Sequence, residues 1–230
     1  MDSDGVVWIG TDNLGVLRLV ITQNEGAEYI MEGENIRTLS QIGNGKFAVA
    51  NKCGDMWVYD SCLQTVLLHE SSEHNVYCVA EIGNGHLWKG TKGGGLYIDS
   101  KHVDEVRQNE IYSIFAESDT CVWIGTFGEG FAVWEDGRIE HYTCVDSLVN
   151  DMVQCFVEDK EGFVWMSTAF GISRFNPVTK KIKNYFSRRI CSIMCSMRIA
   201  VRFLPTGALH LAAAMALSLS RLLCMMLMRK

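Results

Sequence analysis

The sequence predicts an all-β fold, a β-propeller of four-stranded antiparallel blades. Three observations predict it. The first is a recurring phrase: VVWIGT at 6–11, HLWKGT at 86–91, VWIGT at 122–126 and VWMST at 164–168, with a decayed copy, FAVAN, at 47–51. The second is its period. Taking the Trp position as a ruler, Trp8, Ala48, Trp88, Trp123 and Trp165 lie 40, 40, 35 and 42 residues apart. A period near 40 built from short strands is the mark of stacked four-stranded units. The third is the punctuation, which falls at matching places in each copy.

The fourth and fifth copies divide most clearly. Blade four reads as strands at 111–117, 121–127, 131–135 and 138–142; blade five as strands at 152–158, 163–169, 172–175 and 181–186. These runs are short and rich in β-branched and aromatic residues, as strands are. Gly43-Asn44-Gly45 and Gly83-Asn84-Gly85 precede the phrase in blades two and three, and Asp-Gly stands at 4–5 and 136–137. Such pairs supply the positive φ of tight hairpins. A glycine follows the phrase's Thr by four residues in three copies (Thr11/Gly15, Thr91/Gly95, Thr126/Gly130) and by three in the last (Thr168/Gly171).

The strands are apolar on both sides. In blade four Ile111, Ser113 and Phe115 alternate with Tyr112, Ile114 and Ala116. A sheet with one wet face would alternate apolar and polar residues, so both faces of each blade are expected to be covered. The tryptophans are then core residues, with Trp88, Trp123 and Trp165 buried at equivalent positions, rather than platforms for a ligand.

The pattern D-x-x-G-x-(hydrophobic)-W-I-G-T-x-x-G-G resembles the two-component regulator propeller repeat, as found in the sensor region of Bacteroidetes hybrid two-component systems. Asp4 to Thr11 carry it, as do Lys160 to Met166 with Arg174-Phe175-Asn176-Pro177 and the strand after them. A leader of the form N-x-V appears at Asn75-Val76, Asn109-Glu110-Ile111 and Asn150-Asp151-Met152-Val153. The likeness covers about residues 1–186. Blade two lacks the Trp-Ile-Gly-Thr core, and Gly93-Gly94-Gly95 is richer in glycine than the pattern.

The resemblance implies a periplasmic propeller whose parent protein senses oligosaccharides and signals to a histidine kinase controlling glycan-utilisation genes. It implies an oligosaccharide ligand as one partner and, as the other, the rest of the sensor kinase, dimeric in the parent. This chain is expected to be a fragment of that propeller, about five of seven blades, starting inside a repeat and without independent enzymatic activity. Alone it is expected to bind ligand weakly or not at all. Two other classes stay open: a propeller lyase or hydrolase with a site in the axial funnel, and a truncated remnant with no independent function.

Residues 187–230 break the pattern. They hold no Asp, Glu or Trp, but six of the 11 methionines, six arginines and Lys230, so the preceding residues carry −13 of the net −6. The expected division is therefore a partial propeller at 1–186 and an atypical basic, Met/Leu/Ala-rich tail at 187–230, helical or disordered. The tail reads as a membrane span across 208–228, interrupted by His210 and Arg221; as a basic amphipathic helix on a membrane surface; or as out-of-frame translation after a native frame that ends near Phe186. The abrupt change of composition favours the third.

The acidic propeller argues against a nucleic-acid partner. The start Met1-Asp2-Ser3-Asp4 lacks the positive segment of a signal peptide, so a chain beginning there would stay in the cytoplasm, whereas the resemblance implies the periplasm. The nine cysteines form no C-x-x-C. Cys78, Cys121 and Cys155 fall in strand runs as small apolar residues, and Cys191 and Cys195 lack histidines at ligand spacing. The six histidines, at 69, 74, 86, 102, 141 and 210, are scattered and read as turn or surface residues. No catalytic residue, metal site or cofactor is assigned, and the ligand-binding residues are left unknown.

Overall fold

The computed structural model describes residues 6–12, 14–20, 28–60, 64–83, 85–106, 109–185, 200–203 and 209–212. It divides into two compact units, Met1–Ile111 and Tyr112–Lys230.

The first unit holds three sheets. Blade one is β1 (Val6–Gly10), β2 (Val16–Val20) and β3 (Glu28–Ile30). Blade two is β4 (Ile36–Gln41), β5 (Phe47–Asn51), β6 (Asp55–Tyr59) and β7 (Val66–Ser71). Blade three is β8 (Asn75–Ile82), β9 (His86–Lys92), β10 (Leu96–Ile98) and β11 (Lys101–His102). The second unit holds blade four, β12 (Ile111–Ala116), β13 (Cys121–Thr126), β14 (Phe131–Glu135) and β15 (Arg138–Tyr142), and blade five, β16 (Val153–Glu158), β17 (Val164–Thr168), β18 (Gly171–Asn176) and β19 (Lys181–Tyr185). Each sheet is an antiparallel meander in chain order. The strands of blades four and five lie within a residue of their sequence-derived positions.

The motif's chemistry explains its recurrence. In four blades the Thr hydroxyl donates to the carbonyl of the following Gly: Thr11 to Gly15 (2.7 Å), Thr91 to Gly95 (2.8 Å), Thr126 to Gly130 (2.9 Å) and Thr168 to Gly171 (3.0 Å). The bond closes the turn between the second and third strands. Blade two reaches the same end with Asn51, whose side-chain oxygen accepts from the backbone N–H groups of Cys53 and Asp55. The phrase's own glycine serves close approach: a Cβ on Gly125 would sit 2.8 Å from the Val153 carbonyl of blade five. The Asp136-Gly137 hairpin has φ of 48° and 77°, as its sequence demanded.

A carboxylate acceptor also fixes two tryptophans. Trp123 donates its indole N–H to Glu117 (2.7 Å) and Trp165 donates to Asp159 (2.6 Å). Each acid lies six residues before its Trp, at the turn that opens the strand. Trp123 is 1% exposed and Trp88 7%. Trp165 departs from the expectation of burial: it is only half-buried. Val164, Met166 and Phe175 face blade four, so alternation sends Trp165 to the opposite side. There Arg174 (5.5 Å) and Tyr185 (5.2 Å) flank its ring.

Of the tail, residues 200–203 and 209–212 are described. Its described residues are neither helical nor disordered. β20 (Ala200–Phe203) and β21 (Leu209–Ala212) form a two-stranded antiparallel ladder, and β20 runs near β16. Val201 and Phe203 are good strand formers, and ladder pairing outweighs the small helix preference of Ala and Leu. Most of 208–228, together with Cys191, Cys195 and Asp4-Gly5, lies outside the described residues. No helix among the described residues is long and apolar enough to cross a membrane.

Candidate functional site

The seam between blades four and five is dry. Trp123, Phe131, Phe156, Phe175, Val164 and Met166 pack into one buried cluster, with Tyr142 against it. Phe131 stacks on Tyr142 (4.9 Å) and meets Phe175 edge to face (5.5 Å).

The seam between blades two and three is built from the matching positions with different residues. Gly125, Phe131 and Tyr142 form one rung of blade four. The equivalent rung of blade two is Ala50, Met56 and Glu70. Blade five turns Met166 toward blade four; the residue one past the Trp position in blade three is Lys89. A Tyr and a Met at the dry seam thus become a Glu and a Lys. Ala48, Ala50, Met56, Val58, Val76 and Val79 fill the inner part of the seam. Outside them lies a cleft of about 480 Å³, a size suited to a small ligand.

Lys89 is the centre of the cleft. Its side chain is 12% exposed and forms an ion pair with Glu70, 31% exposed. It also donates to Ser100 Oγ (3.3 Å), which in turn donates to Glu70 (3.1 Å). Burial of a lysine is tolerable only with such partners. Tyr97, the cross-strand neighbour of Lys89, lines the same cleft. Its ring makes an edge contact with that of His102 (5.3 Å), and His102 bonds Asp104 (2.7 Å). His74 forms the other wall, at the crossing from blade two to blade three. It lies against the backbone of Gly94, where a Cβ would sit 2.2 Å from its ring. Gly94, a glycine of the repeat pattern itself, therefore leaves the space His74 occupies.

Below the cleft, Asp55 accepts from Ser71 (2.6 Å) and Asn51 (3.2 Å). These bonds, the Ser71 one first, hold its carboxyl below the usual range. His69 stacks on Trp57 (5.0 Å) and faces Asp55 at 3.7 Å.

The remaining histidines stay apart. His86 pairs with Asp99, His141 is exposed on β15, and His210 lies in β21. Among the described residues no three His, Cys, Asp or Glu side chains gather as a metal site would require. Cys78, Cys121 and Cys155 are half-buried strand residues. Burial, and then Glu117, push the Cys121 thiol up to about 12, so it is not a thiolate at neutral pH. The sequence reading missed Lys89, Glu70 and Tyr97. Its available signal was the third copy of the phrase itself, HLWKGT, where a lysine stands at the position of Ile9, Ile124 and Met166.

Residues 147–170 match the family model of the two component regulator propeller. Blade five is thus the copy of the repeat that this family model recognises. The match takes in the leader, phrase and turn of blade five. Solved structures agree on the fold. The extracellular domain of a hybrid two component system from B. thetaiotaomicron is 21% identical, with a TM-score of 0.74 over 91% of this chain and 31% of that one. This chain thus spans about a third of that domain's length. The WD40 β-propeller domain of Doa1 is 10% identical, with a TM-score of 0.67 over 94% of this chain and 74% of that one. A streptogramin B lyase is 15% identical, with a TM-score of 0.67 over 92% and 74%. These identities establish the propeller fold. No curated protein matches the chain in sequence.

Proposed function

We propose that this chain is part of the ligand-sensing propeller of a hybrid two-component sensor. The parent protein binds an oligosaccharide outside the inner membrane and signals to a histidine kinase that controls glycan-utilisation genes. It does so as a dimer, and the chain itself carries out no catalysis. The observation that supports this reading most is the two component regulator propeller match at 147–170, joined by the likeness to an extracellular sensor domain. A ligand shifts the signalling equilibrium only by binding its two states unequally. Seams between blades, where small shifts change packing, are suited to that.

Two measurements test it. In cells carrying the parent gene, deletion of blades two to five is expected to abolish induction of the neighbouring genes by oligosaccharide; unchanged induction overturns the sensing reading. The purified chain is expected to show no phosphorylation with labelled ATP; ATP-dependent autophosphorylation overturns the non-catalytic reading.

A further inference from the structure

We infer that the cleft between blades two and three is a saccharide-binding site selective for uncharged sugars over uronate-bearing or sulfated ones. This inference rests on the sensing reading above and gives it a location and a charge preference.

Four features carry it. The cleft lies at a seam where repeat equivalents supply an apolar pair, so the polar pair is a local departure rather than a property of the repeat. Gly94, where a Cβ would strike the His74 ring, seats His74 in the same cleft. Tyr97 brings to the lining an aromatic ring of the kind on which the C–H face of a sugar packs. Lys89 spends two of its three donors on Glu70 and Ser100, leaving one for a hydroxyl.

Charge decides the class. Glu70 and Glu73 face a single Lys89 across the lining, so the cleft is net negative. Lys89 is already neutralised by Glu70. A carboxylate or sulfate entering would meet the exposed Glu73 at the rim, with Lys89 already paired, so the net negative lining disfavours it modestly. A neutral sugar meets no such opposition. Its hydroxyls both donate and accept, matching a lining that holds a carboxylate, an ammonium, an imidazole and serine hydroxyls.

The test is amide NMR of the full chain at millimolar saccharide, which detects weak binding. The probes are maltotriose, cellotriose and mannotriose against trigalacturonate and a sulfated chondroitin disaccharide. At least one neutral probe is expected to shift signals at 70–74 and 97–100, with the anionic probes about tenfold weaker or silent. Tyr97→Ala is expected to weaken binding about tenfold. Glu73→Lys, a rim change that leaves the core untouched, is expected to raise affinity for the anionic probes. Val178→Ser, at a site 91% exposed, is the control and should change nothing. Shifts mapping outside the cleft, or anionic probes binding as well as neutral ones, overturn the inference while leaving the sensing reading standing. Silence toward every saccharide from a chain with a dispersed spectrum overturns the cleft assignment. The sensing reading then falls only if induction in the parent also survives the blade deletion.

Discussion

Blades four and five meet through aromatic rings; blades two and three meet through small aliphatics and an ion pair. The two seams use the same ladder positions, so the backbone is a constant and the side chains are the variable. At the first seam Phe131, Tyr142, Phe156 and Phe175 close around Trp123. At the second, Ala48 stands where that Trp would be, and Glu70 and Lys89 stand where Tyr142 and Met166 would be. One seam is built for stability. The other gives up apolar contact at its outer edge and gains a polar cleft. A repeat fold can thus specialise one seam while its neighbours hold the structure together, because each seam depends mainly on adjacent blades.

The largest expected effect lies at the dry seam. Trp123→Ala should lower the stability of the second unit by about 3–5 kcal/mol, as loss of a buried Trp does. A thermal melt matching the parent would show that the ring is not core and that the two seams do not differ as described.

The next effect exchanges the seams. Lys89→Met leaves Glu70 without its cation and should destabilise by about 1–3 kcal/mol, less than the about 3–5 kcal/mol of a fully buried pair because Glu70 is a third exposed. Adding Glu70→Tyr rebuilds the blade-four and blade-five pairing. The double variant should be at least as stable as the parent, by up to about 1–4 kcal/mol, and should lose saccharide binding. Chemical denaturation of the two singles and the double gives the coupling. Additive effects would mean that the pair is not a unit.

A smaller effect separates the tryptophans. Asp159→Ala removes the acceptor of Trp165 and of the Glu161 and Phe163 N–H groups. It should cost about 1.5–3 kcal/mol, in the range for hydrogen bonds to a charged group. Indole N–H exchange at Trp165 should quicken while that at Trp123 stays slow. Equal quickening would show that the two indoles are not separately anchored.

The smallest effect is on pH dependence. Hydrogen bonds from Ser71 and Asn51 depress the Asp55 carboxyl, and His86 depresses that of Asp99. A depressed carboxyl adds stability that is present above its unfolded value, about 3.9, and is lost as pH falls through the folded value. The melting temperature should therefore drop from about pH 4 downward. Asp55→Asn should flatten that drop, and an unchanged slope would remove Asp55 from the account.

Local signals were legible because they are local. The strands of blades four and five follow from residue type and turn punctuation, and the Thr-to-Gly spacing follows from a bond within one turn. The histidine at 74 and the glycine at 94 were also visible, but as unrelated residues. The chain brings them together only by laying one blade on the next. Glu70 and Lys89, 19 residues apart, each look like an ordinary solvated strand charge when read alone.

By itself, then, the sequence determined the β class, the repeat, the blade boundaries and the turn chemistry, since period-two alternation and positive-φ turns act over a few residues. Three things were decided only by tertiary structure. Trp165 is half-buried because a residue's exposure depends on which neighbour covers its side of the blade, and that is not written in its own strand. The described tail residues pair as β20 and β21 because a ladder partner outweighs intrinsic helix preference of well under about 1 kcal/mol per residue. The cleft exists because two blades place a Lys and a Glu face to face where the repeat elsewhere places rings and methyl groups, a relation that distance in sequence conceals and packing alone creates.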